Sequence, residues 1–208
     1  MVENKTEFLT VDRRYGPVEL KEKGSRFIAY LFPVCNQVEA EAEIAGLRKQ
    51  YHDASHVCFA FRLGEGREDY FRYNDDGEPS GTAGLPIYNE IKGKDYLNVL
   101  AAVVRYFGGT KLGTGGLARA YAAAAQLVLA RSQPLLSVVK KEASLTFPYD
   151  FTGEVMHLVR TFSLDILSQH YTDQGVHLRL HIPLPALEDL TRALTQKSAG
   201  HLKLNFKS

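Results

Sequence analysis

Two short runs, Gly81-Thr82-Ala83-Gly84 and Gly113-Thr114-Gly115-Gly116, stand before stretches with helical spacing. The chemistry they suggest is capture of an anion. Glycine permits positive φ and close backbone approach, and the unpaired N–H groups of a helical first turn carry partial positive charge. Arg105, Lys111 and Arg119 lie near these runs, so basic side chains and amides have the means to converge on one phosphate. The competing reading is two tight strand-to-helix turns, each threonine capping its own helix. The repetition and the flanking cations favour the anion site. Neither run fits G-x-x-x-x-G-K-[ST] or a G-x-G-x-x-G dinucleotide unit, so ATP and NAD are not supported and no cofactor is expected.

Asp75, Asp76 and Glu78 offer hard oxygen for Mg²⁺ or an acid and base pair, but their spacing also suits a solvated Asp-Gly turn, which is favoured. His56 and Cys58 fall on one side of a strand without any required catalytic contact. A packed thiol and an RNA-facing histidine are the better expectation. Arg26 and Arg105 have the charge to contact phosphate, and Tyr106 or Phe107 the ring to stack on a base. For Phe107 core packing is the stronger expectation, and for Tyr106 the two are balanced.

These residues need elements to position them. Ser25 to Val34 reads as a strand, and Asn36 with Glu39 forms an N-x-x-E cap for a helix over 37–51 whose Ala40, Ile44, Leu47 and Tyr51 share a face. His56 to Leu63 alternates, with Val57, Phe59 and Phe61 opposite His56, Cys58, Ala60 and Arg62; after a Gly64-Glu65-Gly66 turn, Asp69 to Tyr73 is its hairpin partner. A helix runs from Gly81 to about Lys92, with Pro86 in the first turn. Leu97 to Tyr106 is a buried central strand, and Gly116 to Arg131 a deeply packed helix marked only by Arg119 and Gln126.

Ser132-Gln133-Pro134 breaks that helix, and the pattern then changes. Glu142 to Pro148, a helix carrying Val155, Leu158, Val159 and Phe162, a hairpin of Leu164 to Tyr171 with Val176 to Ile182, a helix carrying Leu187, Leu190 and Leu194, and Leu202 to Phe206 give the ferredoxin-like order β-α-β-β-α-β. Its aromatic residues do not form the signature of an RNA-recognition motif. Two domains are expected, 1–134 and 140–208.

The chain has 208 residues, 45% hydrophobic and 24% charged, with a formal net charge of +1. That composition is globular, and the balance in both halves excludes a basic nucleic-acid-binding tail, so any RNA surface is a local patch. Lys92 to Arg119 is mostly basic, whereas Glu65 to Glu78 is acid-rich. Met1 to Val11 lacks an apolar signal core, no apolar run approaches a membrane span, and a cytoplasmic protein without membrane contact is expected. Cys35 and Cys58 fit neither a disulfide framework nor a zinc site and read as reduced core residues.

The strings Tyr73-Asn74-Asp75-Asp76-Gly77-Glu78-Pro79-Ser80-Gly81-Thr82-Ala83-Gly84-Leu85-Pro86 and Val103-Val104-Arg105-Tyr106-Phe107-Gly108-Gly109-Thr110-Lys111-Leu112-Gly113-Thr114-Gly115-Gly116-Leu117 strongly resemble the IMPACT family, and Ser25-Arg26-Phe27 and Ala54-Ser55-His56 match its pattern. The resemblance spans roughly 18–130. It implies an α+β protein: an N-terminal domain with the left-handed βαβ fold of ribosomal-protein and RNase PH-type domains, then a ferredoxin-like module resembling the last domain of elongation factor G. It also implies a link to translation, since eukaryotic members resemble regulators that bind the activator of an initiation-factor kinase. The chain therefore reads as a translation-associated protein binding RNA or ribosomal components through Arg26, His56, Gly81, Thr82, Gly84, Arg105, Tyr106, Lys111, Gly113, Thr114, Gly115, Gly116 and Arg119, with no covalent chemistry required. The alternatives are a phosphate-handling enzyme acting on a small molecule or RNA end, and a regulator of a protein partner without nucleic-acid contact.

Overall fold

The computed structural model describes residues 6–64 and 69–206. The Gly64-Glu65-Gly66 turn and the charges of Glu65, Arg67 and Glu68 fall largely outside them. The chain divides into two compact units, Met1–Ser137 and Val138–Ser208.

In the first unit, β1 (Glu7–Thr10), β2 (Tyr15–Glu22) and β3 (Ser25–Pro33) precede α1 (Gln37–Gln50). The cap forms as the spacing predicts: Asn36 Oδ1 accepts the Glu39 N–H at 2.9 Å, and Glu39 Oε2 accepts the Cys35 N–H at 2.8 Å. There follow β4 (His56–Gly64), β5 (Asp69–Asn74), α2 (Gly84–Gly93), β6 (Val99–Tyr106), α3 (Gly113–Arg131) and β7 (Leu135–Val138). Five strands form one sheet in the order β2-β3-β6-β4-β5, with β3, β4 and β5 each antiparallel to the strand beside it. β1 pairs separately with β7.

β6 occupies the centre, and Val99 to Arg105 are all buried. Its continuous apolar run has a physical cause, because both faces of the strand are covered. On one face Ala40, Ile44 and Leu47 of α1 pack against Val57, Phe59, Phe61, Ala102 and Val104. On the other, Ile87 and Ile91 of α2 and Leu117, Tyr121, Ala124 and Val128 of α3 pack against Cys58, Ala60, Ala101 and Val103.

Chain order then determines handedness. β3 to α1 to β4 crosses over β6 in one direction, and β5 to α2 to β6 crosses over β4 in the opposite direction along strands that run the opposite way. With their helices on opposite faces, the two crossovers must have opposite hands, so one is left-handed against the usual rule.

The second unit contains β8 (Lys140–Phe147), α4 (Thr152–Thr161), β9 (Asp165–Thr172), β10 (Gly175–Pro183), α5 (Leu187–Lys197) and β11 (Asn205–Phe206), in the sheet order β11-β8-β10-β9. This is the ferredoxin-like arrangement. Val176, Leu178, Leu180 and Ile182 alternate into a core with Leu158, Leu190 and Leu194, while His177, Arg179 and His181 occupy the other positions of β10. Unit 1 and unit 2 each have their own core.

Several boundaries differ from the sequence reading. α3 starts at Gly113, three residues before the expected Gly116, because its first turn is glycine-rich and lacks the apolar periodicity that marks a helix. β1, β2 and β7 carry no clear pattern of their own: of β2 only Tyr15 and Val18 are buried, as suits a charged edge strand. The last strand contracts to Asn205–Phe206. Cys35 is exposed, not a core residue, because it sits at the entry to α1; Cys58 is buried.

Candidate functional site

The antiparallel order brings the motif residues to one end of the unit 1 sheet. β3 and β4 begin there at Ser25 and His56, β5 and β6 end there at Asn74 and Tyr106, and α2 and α3 start from the loops that follow. Segments far apart in sequence become neighbours through strand pairing alone.

The first Gly-Thr loop already holds an anion, and it belongs to the protein. Asp75 Oδ2 accepts the Gly81 N–H at 2.9 Å, and Asp75 Oδ1 accepts those of Ala83 at 2.9 Å and Gly84 at 2.8 Å. Thr82 does not cap the helix; its hydroxyl donates to the Pro79 carbonyl at 2.7 Å and it is buried. Gly84 is required by space, since a Cβ there would lie 2.7 Å from Asn74 N. Gly81, Thr82 and Gly84 thus form an internal turn around a carboxylate, in contrast to the outward-facing amides expected from sequence.

Arg105 also differs from expectation. It is 4% exposed, and its Nη1 donates to Glu78 Oε1 while Nη2 donates to Ser25 Oγ at 3.3 Å. The guanidinium of a residue at the end of a central strand points under α2 and α3, where an unpaired charge would be costly, and Glu78 supplies the counter-charge. Tyr121 of α3 donates its hydroxyl to the same Glu78 oxygen at 2.8 Å. Cys58 Sγ lies 3.4 Å from that hydroxyl and 3.0 Å from the Asp75 carbonyl. Burial pushes both the Cys58 thiol and the Tyr121 phenol well above their ordinary values, so both hold their protons.

His56 stands at the rim of this cluster with a quarter of its side chain exposed. Its Nδ1 lies 2.8 Å from the Asp76 carbonyl, which can only accept, so Nδ1 carries the proton and Nε2 faces Glu78 Oε1 at 3.8 Å. Asp76 is engaged as well: its carboxylate accepts from Arg48 Nη2 at 2.6 Å and from the Val57 N–H at 2.7 Å. The three acids of this turn each have a structural partner, which the reading of a merely solvated turn did not foresee. Among the described residues no three His, Cys, Asp or Glu side chains are grouped to hold a metal.

The second loop is different in kind. Gly113, Thr114 and Gly115 are exposed in the first turn of α3, which has neither a side-chain cap nor an acidic residue. Lys111 and Arg119 are exposed, and a Cβ on Gly115 would lie 3.5 Å from Arg119 Nη1, so that guanidinium reaches back over the first turn. Gly116 packs toward Leu112. Arg26 and Tyr106 lie on the opposite, α1-facing side of the sheet end: Arg26 stands 5.5 Å from the Tyr106 ring centroid and bonds Glu19 at 2.9 Å, and Tyr106 donates to Asp53 at 2.7 Å. The expected residues therefore form an internal group and two separate outer surfaces.

Sequence reasoning missed Ser25, Asp75, Glu78 and Tyr121 as the partners that complete the internal group. The available signal was charge balance, since Arg105 in an apolar strand needs a nearby acid. Phe107 also departs from the core expectation, being 49% exposed.

Comparison with known proteins gives this geometry a lineage. The family model of the Impact N-terminal domain matches residues 23–129, and that of a domain of unknown function, DUF1949, matches residues 145–201. An IMPACT family member of Haemophilus influenzae is 35% identical over 88% of this chain and 89% of its own. The chain belongs to the IMPACT family. Another relative, IMPACT family member YigZ of Escherichia coli, is 33% identical over 91% of this chain and 94% of its own. A solved structure described as a hypothetical protein superposes with a TM-score of 0.78 at 28% identity, covering 98% of both chains. The IMPACT match extends across Ser25, Glu78, Arg105 and Tyr121, which are buried at the sheet end, and across His56 and Asp75 beside them.

Proposed function

We propose that this IMPACT-family protein is a translation-associated binding protein whose N-terminal unit engages RNA or ribosomal phosphate at the start of α3. One observation carries the reading: two similar glycine-threonine turns open at the same end of the sheet, and among the described residues a carboxylate fills the α2 turn while the first turn of α3 has no side-chain cap. The first turn of α3 keeps exposed glycines beside Lys111 and Arg119, a combination of partial and full positive charge that suits a phosphate oxygen. The engagement of Asp75, Asp76 and Glu78 by amides and arginines supports binding over the enzyme alternative, which needs those carboxylates for metal or proton transfer.

Filter binding to RNA and to ribosomes at several salt concentrations tests the reading. Affinity should fall with salt, and Lys111→Ala and Arg119→Ala should each weaken binding and reduce the salt slope on single-stranded RNA by about 0.7. Failure to bind either target at low salt overturns it, as does metal-dependent turnover abolished by Asp76→Ala in a folded protein.

A further inference from the structure

We infer that Phe107 is a stacking platform for an unpaired base, which makes the ligand of the α3 surface single-stranded RNA. This rests on the reading of that surface as a phosphate site and names its substrate class.

The backbone around Phe107 is pinned on both sides. The Phe107 N–H donates to Ser55 Oγ at 3.0 Å, and the Gly108 N–H donates to Ser25 Oγ at 3.2 Å. Gly108 lies so close to Gly24 that a Cβ on it would stand 1.9 Å from the Gly24 carbonyl carbon. A residue fixed in this way has lost its backbone freedom before any ligand arrives.

The ring itself is supported from within. The Arg105 guanidinium lies 5.5 Å from the Phe107 centroid and 5.4 Å from that of Phe27, which is wholly buried, and Glu78 and Ser25 hold the guanidinium in place. Half of Phe107 nevertheless remains exposed. An ordered aromatic ring with a cation beneath it and free surface above is what a sequence-tolerant base stack uses.

Charge complementarity selects the occupant. Lys111 follows four residues after Phe107, and the acid-free first turn of α3 follows Lys111, so a strand whose base rests on Phe107 can place phosphate against Lys111, Arg119 and the amides. A duplex keeps its bases paired and presents no face to the ring. The exposed aromatic group on β5 is less available for stacking, since Phe71 already stacks on Tyr88 with centroids 4.5 Å apart.

The chain contains no tryptophan, so Phe107→Trp introduces a single indole at the platform, which can be excited selectively over the tyrosines. Its emission should be quenched by a short single-stranded oligoadenylate and unchanged by a long blunt-ended duplex without unpaired bases. Phe107→Ala and Phe107→Leu should weaken oligoadenylate binding about 5-fold to 100-fold, with the salt slope preserved. Wild-type oligoadenylate affinity in both variants, or an unquenched Trp in a complex formed at saturating RNA, overturns the platform. In that event a surviving salt dependence with loss in Lys111→Ala leaves the phosphate reading intact. Absence of binding by the wild-type protein to RNA and to ribosomes alike overturns both.

Discussion

At the scale of single residues, Glu78 ties the end of β6 to α3 at the sheet end. One of its oxygens accepts from Arg105 and Tyr121 and faces His56, and both partners of the ion pair are nearly inaccessible. Removing its charge leaves an uncompensated guanidinium under α2 and α3. Glu78→Gln should therefore lower stability by about 3 kcal/mol or more in urea unfolding. Tyr121→Phe keeps the ring, whose edge-to-face contact with Phe27 has centroids 5.1 Å apart, and loses only the hydroxyl bonds. It should cost about 1–2 kcal/mol. If the two variants unfold at the same urea concentration, the buried charge pair is not what distinguishes this cluster.

At the scale of elements, the glycines divide into those required by space and those required by conformation. Gly108 meets the Gly24 backbone, so a methyl group cannot fit without moving β3 away from the end of β6. Gly113 has φ +72, and a methyl group added to it would find nothing within 4 Å, so Gly113→Ala meets only the left-handed backbone penalty of about 1–2 kcal/mol. Thermal unfolding should consequently show a much larger drop in Tm for Gly108→Ala than for Gly113→Ala. Equal drops would mean that the Gly24 contact yields easily. The pair of opposite-handed crossovers belongs to this scale too, for it puts α1 and α2 on opposite faces of the sheet, with α2 on the face where α3 also packs.

At the scale of the molecule, two units with separate cores make separate folding a direct expectation. Residues 138–208 expressed alone should unfold cooperatively by circular dichroism, because Leu145, Leu158, Val176, Leu178, Leu190 and Leu194 bury one another within that unit. A gradual, non-cooperative loss of signal would show that its core depends on the first unit. The net charge of +1 has its own consequence for binding. With attraction confined to a local surface, two cations give a salt slope of only about 1.4 on a single strand.

The amino-acid sequence alone determined the periodic features: the cap of α1, the apolar faces of α1, β4 and β10, the doubly buried β6, and the strings that carry the IMPACT resemblance. These depend on repeats of 3.6 or 2 residues and on residue identity, both of which are local. Tertiary structure decided which charges remain available. Arg105 and Glu78 are 27 positions apart, so their pairing depends on which strands lie side by side, while Asp75 reaches Gly84 across nine through the path of the β5–α2 segment. The same strand order turned Arg26 and Tyr106 to the α1 side and left Phe107 half exposed beyond the end of β6. Sequence spacing names a cation or a glycine turn, but only the folded sheet determines whether an internal carboxylate already occupies it.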